Sequence, residues 1–181
     1  MGCTNSVALS GITYSCTDIP YGGLKRVLLS NLSTLDGIVT VDDSTGVVTV
    51  GTLTAGNVVE LSFSNKDGFS NWTETKTVDP TGTVKVEENI GIEFPKMTAD
   101  KRLELEKMAA PYAKLVAFVE DYSGEYHMVG FGFGLFASEI QGQTGTGRSD
   151  KNVYQLKLTG EETHLAYSLD QTGWDAVLAG I

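Results

Sequence analysis

Apolar and polar residues alternate with a period of two along much of this chain, and the apolar stretches are short. Val27 to Leu29, Ile38 to Val41, Val47 to Val50 and Val58 to Phe63 are rich in β-branched residues. Asp36-Gly37, Ser44-Thr45-Gly46 and Ala55-Gly56-Asn57 punctuate them, which predicts strands joined by turns. Asn65 to Ser70 carries an Asp-Gly turn signal. Trp72 to Val78 and Thr83 to Phe94 read as two strands joined at Asp79-Pro80-Thr81-Gly82. In the second of these, Val84 and Val86 point one way, and Lys85 and Glu87 the other. Lys114 to Glu120 turns at Asp121-Tyr122-Ser123-Gly124 into Glu125 to Val129. Val153 to Thr159 and Thr163 to Leu169 alternate cleanly, and Gly160-Glu161-Glu162 is expected to join them as a hairpin.

One segment has a different period. Thr98 is suited to an N-cap, Asp100 to the first helical turn, and Ala99 to Ala110 is built from good helix formers. Leu105, Met108, Ala109 and Tyr112 share a helical face, with Pro111 as the stop. The pattern predicts a mainly β fold of two packed antiparallel sheets, a sandwich or small barrel, with one flanking α-helix over about 98–110. Residues 1–181 form a single domain, with an N-terminal arm over 1–20 and a long Gly/Gln/Thr/Ser-rich loop over about 139–151.

Charge narrows the function. Asp and Glu number 23 against 13 Lys and Arg, a formal net charge of −10, and the basic residues are scattered. Such a surface is repelled by phosphate backbones and anionic lipid, so neither tight nucleic-acid binding nor membrane binding is expected. The start, Met1 to Ser6, lacks the basic and apolar regions of a secretory signal. Cys3 and Cys16 are accordingly expected as thiols. His127 and His164 have no ligand-like spacing, so no metal is expected.

Three motifs invite chemistry and fall short of it. Gly142 to Ser149 has the spacing of a phosphate-binding loop, but Arg148 stands where lysine is required and the chain runs on into a strand. Gly130-Phe131-Gly132-Phe133-Gly134 lacks the last glycine of a dinucleotide loop and reads as a bend. Gly2, Cys3 and Ser6 fit an acylation pattern, the basis of an alternative reading as a membrane-anchored binding module. No nucleophile stands beside a base and no carboxylate pair stands out, so catalytic, cofactor-binding and metal residues are all expected to be none.

From about Glu93 to Leu169 the chain resembles structural-cluster proteins of tailed bacteriophages of Bacteroides-type hosts, the crAss-like group included. The resemblance lies in Phe94-Pro95-Lys96-Met97 entering a Leu/Glu-rich helix, and in Leu115 to Val119 leading into Glu120-Asp121-Tyr122-Ser123-Gly124-Glu125-Tyr126. Gly130 with Gly134-Leu135, the loop ending at Asp150, and Gly160-Glu161-Glu162 complete it; Cys3, Cys16, Asp18 and Gly22-Gly23 are also similar. The resemblance implies a tail-tube-like fold without catalytic residues. It also implies a virion protein of the tail or neck, assembled in the host cytoplasm. Its partners would be copies of itself in a ring and neighbouring tail, neck or portal proteins, with DNA passing through without being gripped. A minor capsid-associated structural protein is the other alternative.

Overall fold

The computed structural model describes residues 22–42, 45–64 and 69–181. Cys3, Cys16, the acylation pattern and the Asp67-Gly68 turn lie outside them. The chain runs β1 (Leu24–Asn31), α1 (Leu32–Leu35), β2 (Val39–Asp42), β3 (Val47–Val50), β4 (Val58–Leu61), β5 (Asn71–Val78) and β6 (Val84–Pro95). It continues α2 (Ala99–Met108), β7 (Leu115–Asp121), β8 (Tyr126–Val129), β9 (Phe136–Gln143), β10 (Val153–Glu162), β11 (Tyr167–Leu169) and α3 (Gln171–Leu178). The fold is mainly β, and the described residues form two sheets, a seven-stranded one ordered β2-β3-β11-β8-β7-β1-β4 and a four-stranded one ordered β5-β6-β10-β9. No helix among the described residues is long and apolar enough to cross a membrane.

The seven-stranded sheet is a wall between two cores. Alternation along β1 and β7 sends Val27, Leu29, Ala117 and Val119 toward the four-stranded sheet, where they meet Ile90 and Ile92 of β6 and Leu156 and Leu158 of β10. Leu28, Val116 and Phe118 point the other way, onto Val48, Trp174 and Val177. Val27 pairs with Val119, Leu28 with Phe118 and Leu29 with Ala117, so each cross-strand pair feeds one core. Burial on both faces is why these two strands read as unbroken apolar runs. Each such fully buried aliphatic side chain contributes roughly 1.5–3 kcal/mol.

Helix α2 is capped as its sequence predicts, with Thr98 Oγ1 accepting from Lys101 N at 3.4 Å. It ends earlier, at Met108, with Ala109 as its C-cap. Tyr112 therefore leaves the helical face; it sits at φ 67° and is 99% exposed. Leu105 is the buried residue of the helix and Met108 packs beside it, so α2 flanks the inter-sheet core.

Four features differ from the pattern-based expectation. Two further helices appear: the single turn α1, whose Leu35 is buried in the outer core, and α3, which covers the outer face of the wall, capped by the Asp170 side chain accepting from Gly173 N at 2.7 Å. The segment Gly160-Glu161-Glu162 is strand, not turn: β10 runs through it, with Gly160 opposite Glu88 and Glu162 opposite Val86. Gly160 is there for close packing, since a Cβ would stand 2.7 Å from Leu135 Cδ2. β11 lies in the other sheet, so β10 and β11 form no hairpin, and β11 pairs with β3 in parallel. Finally, Glu139 to Gln143 is not loop but the second half of β9, with Gln141 opposite Gln155 and Gln143 opposite Val153. Its polarity reflects an edge strand with exposed faces, which a composition-based reading takes for loop.

Candidate functional site

Among the described residues, the four-stranded sheet ends on two edges, β5 and β9, with no further strand beside them. Both are eight residues long, are largely exposed and, among those residues, pair with a neighbour on one side only. Each therefore presents a row of backbone N–H and C=O groups. On β9, Phe136 is 52% exposed and Ile140 36%. A bulge interrupts the edge at Ser138, where the register steps from Lys157↔Glu139 to Leu158↔Ala137, and Ser138 Oγ reaches Lys157 O at 3.2 Å. Beyond it, Glu139 to Gln143 is regular. On the outer face a cleft of about 300 Å³ runs between Asn89, Gln141 and Gln155, with Phe69 at its side.

Beneath this sheet lies a set of carboxylates. Glu74 of β5 stands directly opposite Glu88 of β6, and Glu162 of β10 pairs with Val86, two residues along the same face. Glu88 is 1% exposed and Glu162 9%. Glu162 Oε1 accepts from Phe133 N at 2.7 Å, Glu74 Oε2 from Ala166 N at 2.9 Å, and the Glu88 carboxyl from the Gly130 N–H. Among the described residues, Glu88 Oε2 is buried with no hydrogen-bond partner, as is Trp72 Nε1, whose ring tilts against His127 at 4.9 Å. Burial first, then the charges of Glu162 and Glu74, push the Glu88 carboxyl up to about 8, so it carries a proton at neutral pH.

The other buried glutamates are built differently. Glu93 receives Lys151 Nζ at 3.1 Å on both oxygens and Gln155 Nε2 at 3.0 Å, and Glu120 receives Lys25 Nζ at 2.5 Å. No such lysine pairs with Glu88 or Glu162 among the described residues. Nor does any set of three or more His, Cys, Asp and Glu there have the placement to hold a metal ion. Glu88 was legible in outline. On β6 the even positions Val86, Ile90, Ile92 and Phe94 face the core, and an acid on that parity breaks the pattern.

The glycine motifs resolve into structure. Asp150 Oδ2 accepts from Thr146 N at 2.7 Å, Gly147 N at 2.6 Å and Thr146 Oγ1 at 3.1 Å, so the amides that a phosphate would need already hold this chain's own carboxylate. Those bonds, the Gly147 and Thr146 amides first, lower the Asp150 pKa. Arg148 leads on into β10, with no helix to present further amides. In the Gly130–Gly134 cluster, Gly130 takes φ 79° and its absent Cβ would lie 2.5 Å from Leu135 Cγ. Gly130→Ala is expected to cost about 1–3 kcal/mol in a urea titration. Gly124→Ala, with φ 88° and open space around it, should cost less. Equal losses would mean that backbone conformation alone matters and the Leu135 contact does not.

No family model matches this chain, and no curated protein matches it in sequence.

Proposed function

We propose that the chain is a structural subunit of a tailed-bacteriophage virion, a tail tube or neck ring protein whose copies join head to tail into a homo-oligomeric ring around the DNA passage. The observation that carries this reading is the order β5-β6-β10-β9, every neighbouring pair antiparallel. Four strands is an even number, so the two edges run in opposite directions. A neighbour related by rotation about a ring axis presents its β9 antiparallel to this β5, and the alternation continues through every copy until the ring closes. Lys76 on β5 and Glu139 on β9 bring opposite charges to the two edges. The net charge of −10 keeps a lumen from gripping passing DNA. In this role the chain needs no catalytic group.

An edge pairing of this kind is one part of an interface that buries on the order of 1,600 Å² in total. Ile140→Lys places a charge on the regular half of β9, a device that blocks strand addition. Light scattering and negative-stain microscopy over a concentration series should show closed rings for the wild type and monomers for the variant. The variant's unfolding free energy should stay within about 1 kcal/mol of wild type. A wild-type protein that remains monomeric at high concentration, or a variant that assembles normally, refutes the edge-pairing ring.

A further inference from the structure

We propose that the outer face of the four-stranded sheet holds a saccharide site: the cleft over Gly91, walled by Phe69 and lined by amide side chains from all four strands, binds one unit of a neutral sugar. The site belongs to the single chain. It uses side chains on the face of the sheet and not the backbone of its edges, so it stands whether or not copies join through β5 and β9.

The lining departs from ordinary strand chemistry at one place. Over one end of the outer face the residues suit a wet sheet, with Thr75 and Thr77 on β5, Lys85 and Glu87 on β6, and Glu161 on β10. Toward the other end the strands carry Asn71, Asn89, Gln155 and Gln141, one from each, around Gly91. Asparagine and glycine are disfavoured in strands, and a solvent face gives no packing reason for them. Gly91 makes room. A Cβ there would lie 2.9 Å from Phe69 O, 3.1 Å from Asn71 Oδ1 and 3.5 Å from the Phe69 ring, so both residues lean over it. The chain beside Phe69 is tied to β6: Glu93 N donates to Ser70 Oγ at 3.1 Å, Ser70 Oγ to Ser64 O at 2.7 Å, and Ser64 N to Glu93 O at 2.8 Å. The phenyl wall is thereby built in.

The amides suit a ligand that both donates and accepts. Glu93 is 2% exposed and accepts from Lys151 Nζ, and a carboxylate can only accept. Gln155 therefore turns its nitrogen to Glu93 at 3.0 Å and its carbonyl oxygen toward the cleft that it lines. Among the described residues, the side chains of Asn71, Asn89 and Gln141 make no hydrogen bond with protein, so each keeps donors and an acceptor for a ligand. A sugar hydroxyl, one donor with two lone pairs, matches such groups. Lys157 stands directly opposite Glu139, so the lining carries one charge of each sign and selects neither an anion nor a cation. The phenyl ring offers an apolar surface to the C–H face of a pyranose. A nucleobase, with donors and acceptors along its edges only, would leave most of these amides unmatched. The volume of about 300 Å³ lies at the small end of ligand sites, roughly 300–1,000 Å³, which holds one sugar unit and leaves the rest of its chain in solvent.

Saturation-transfer NMR and calorimetry on the purified chain test this, and both work equally on a monomer and on a ring. The probes are maltotriose, cellotriose, mannotriose and triacetylchitotriose, with trigalacturonate and adenosine for comparison. At least one neutral trisaccharide should bind with a Kd below about 1 mM. Its affinity should change by less than about twofold on raising salt to about 0.5 M, since no net charge is engaged. Gln155→Ala and Asn89→Ala should each weaken it about tenfold. Gln141→Ala, at an exposed position, decides the matter if Gln155→Ala does not fold. Thr77→Ala, on the same face but away from the cleft, should change nothing. Absence of binding by every neutral sugar at about 10 mM overturns the site. So does affinity unchanged in Gln141→Ala and Gln155→Ala, or a preference for adenosine or trigalacturonate.

Discussion

Trp174→Ala is expected to remove about 3–5 kcal/mol from the folded state and to lower the urea midpoint accordingly. The side chain is the largest of those fully buried, at 2% exposure. It stacks on Tyr126 at 4.6 Å with the rings 17° apart, and the Arg26 guanidinium lies 6.0 Å above it. Helix α3 is too short to persist by itself and is held by this anchor and Val177. Losing the indole would leave a cavity among Val48, Phe118 and Leu169 and would loosen α3, which packs on the same core. Val177→Ala deletes less volume from the same core and should cost less. A loss below about 1 kcal/mol for Trp174→Ala would show α3 to be a peripheral addition.

Stability should fall as pH rises. Glu88 holds its proton up to about 8 in the folded chain and releases it near 4.5 when unfolded. Below 4.5 both states are protonated and its contribution is intact. Between the two values only the unfolded chain gives up the proton, so stability drains at up to about 1.4 kcal/mol per pH unit; above the upper value the whole loss has been incurred. The lowered carboxylates Asp79, Glu87 and Asp150 act in the opposite sense, but at pH values below this window. Urea titrations of wild type and Glu88→Gln at about pH 5 and about pH 8 isolate the effect, because other groups cancel in the difference. The glutamine variant should gain on the wild type as pH rises. Parallel curves, or a wild type more stable at the higher pH, would remove Glu88 from the account.

Much of the fold was legible where local chemistry decides it. The hairpins at Asp79-Pro80-Thr81-Gly82 and Asp121-Tyr122-Ser123-Gly124, the cap at Thr98 and the alternation of β10 all follow from neighbours in sequence. What escaped was decided at a distance. Helix α3 contains Thr172 and Gly173, poor helix formers, and is held by tertiary burial that no propensity reveals. Gly160 resembles a turn until Leu135, distant in sequence, is found lying against it. β9 resembles a loop because an edge strand with wet faces needs no apolar parity. The carboxylates were the hardest case. Glu88 breaks the apolar parity of β6, but Glu74 and Glu162 look like surface acids one at a time, and only the register of three strands brings all three to one spot.

The wall shared by the two cores sets terms for sequence drift. Val27 and Leu28 are adjacent in the chain, yet the first answers only to the inter-sheet core and the second only to the layer beneath α3. The same division separates Ala117 from Phe118. Compensating changes should therefore be sought every second residue along β1 and β7, in two lineages of co-adaptation that run through the same strands without reading each other.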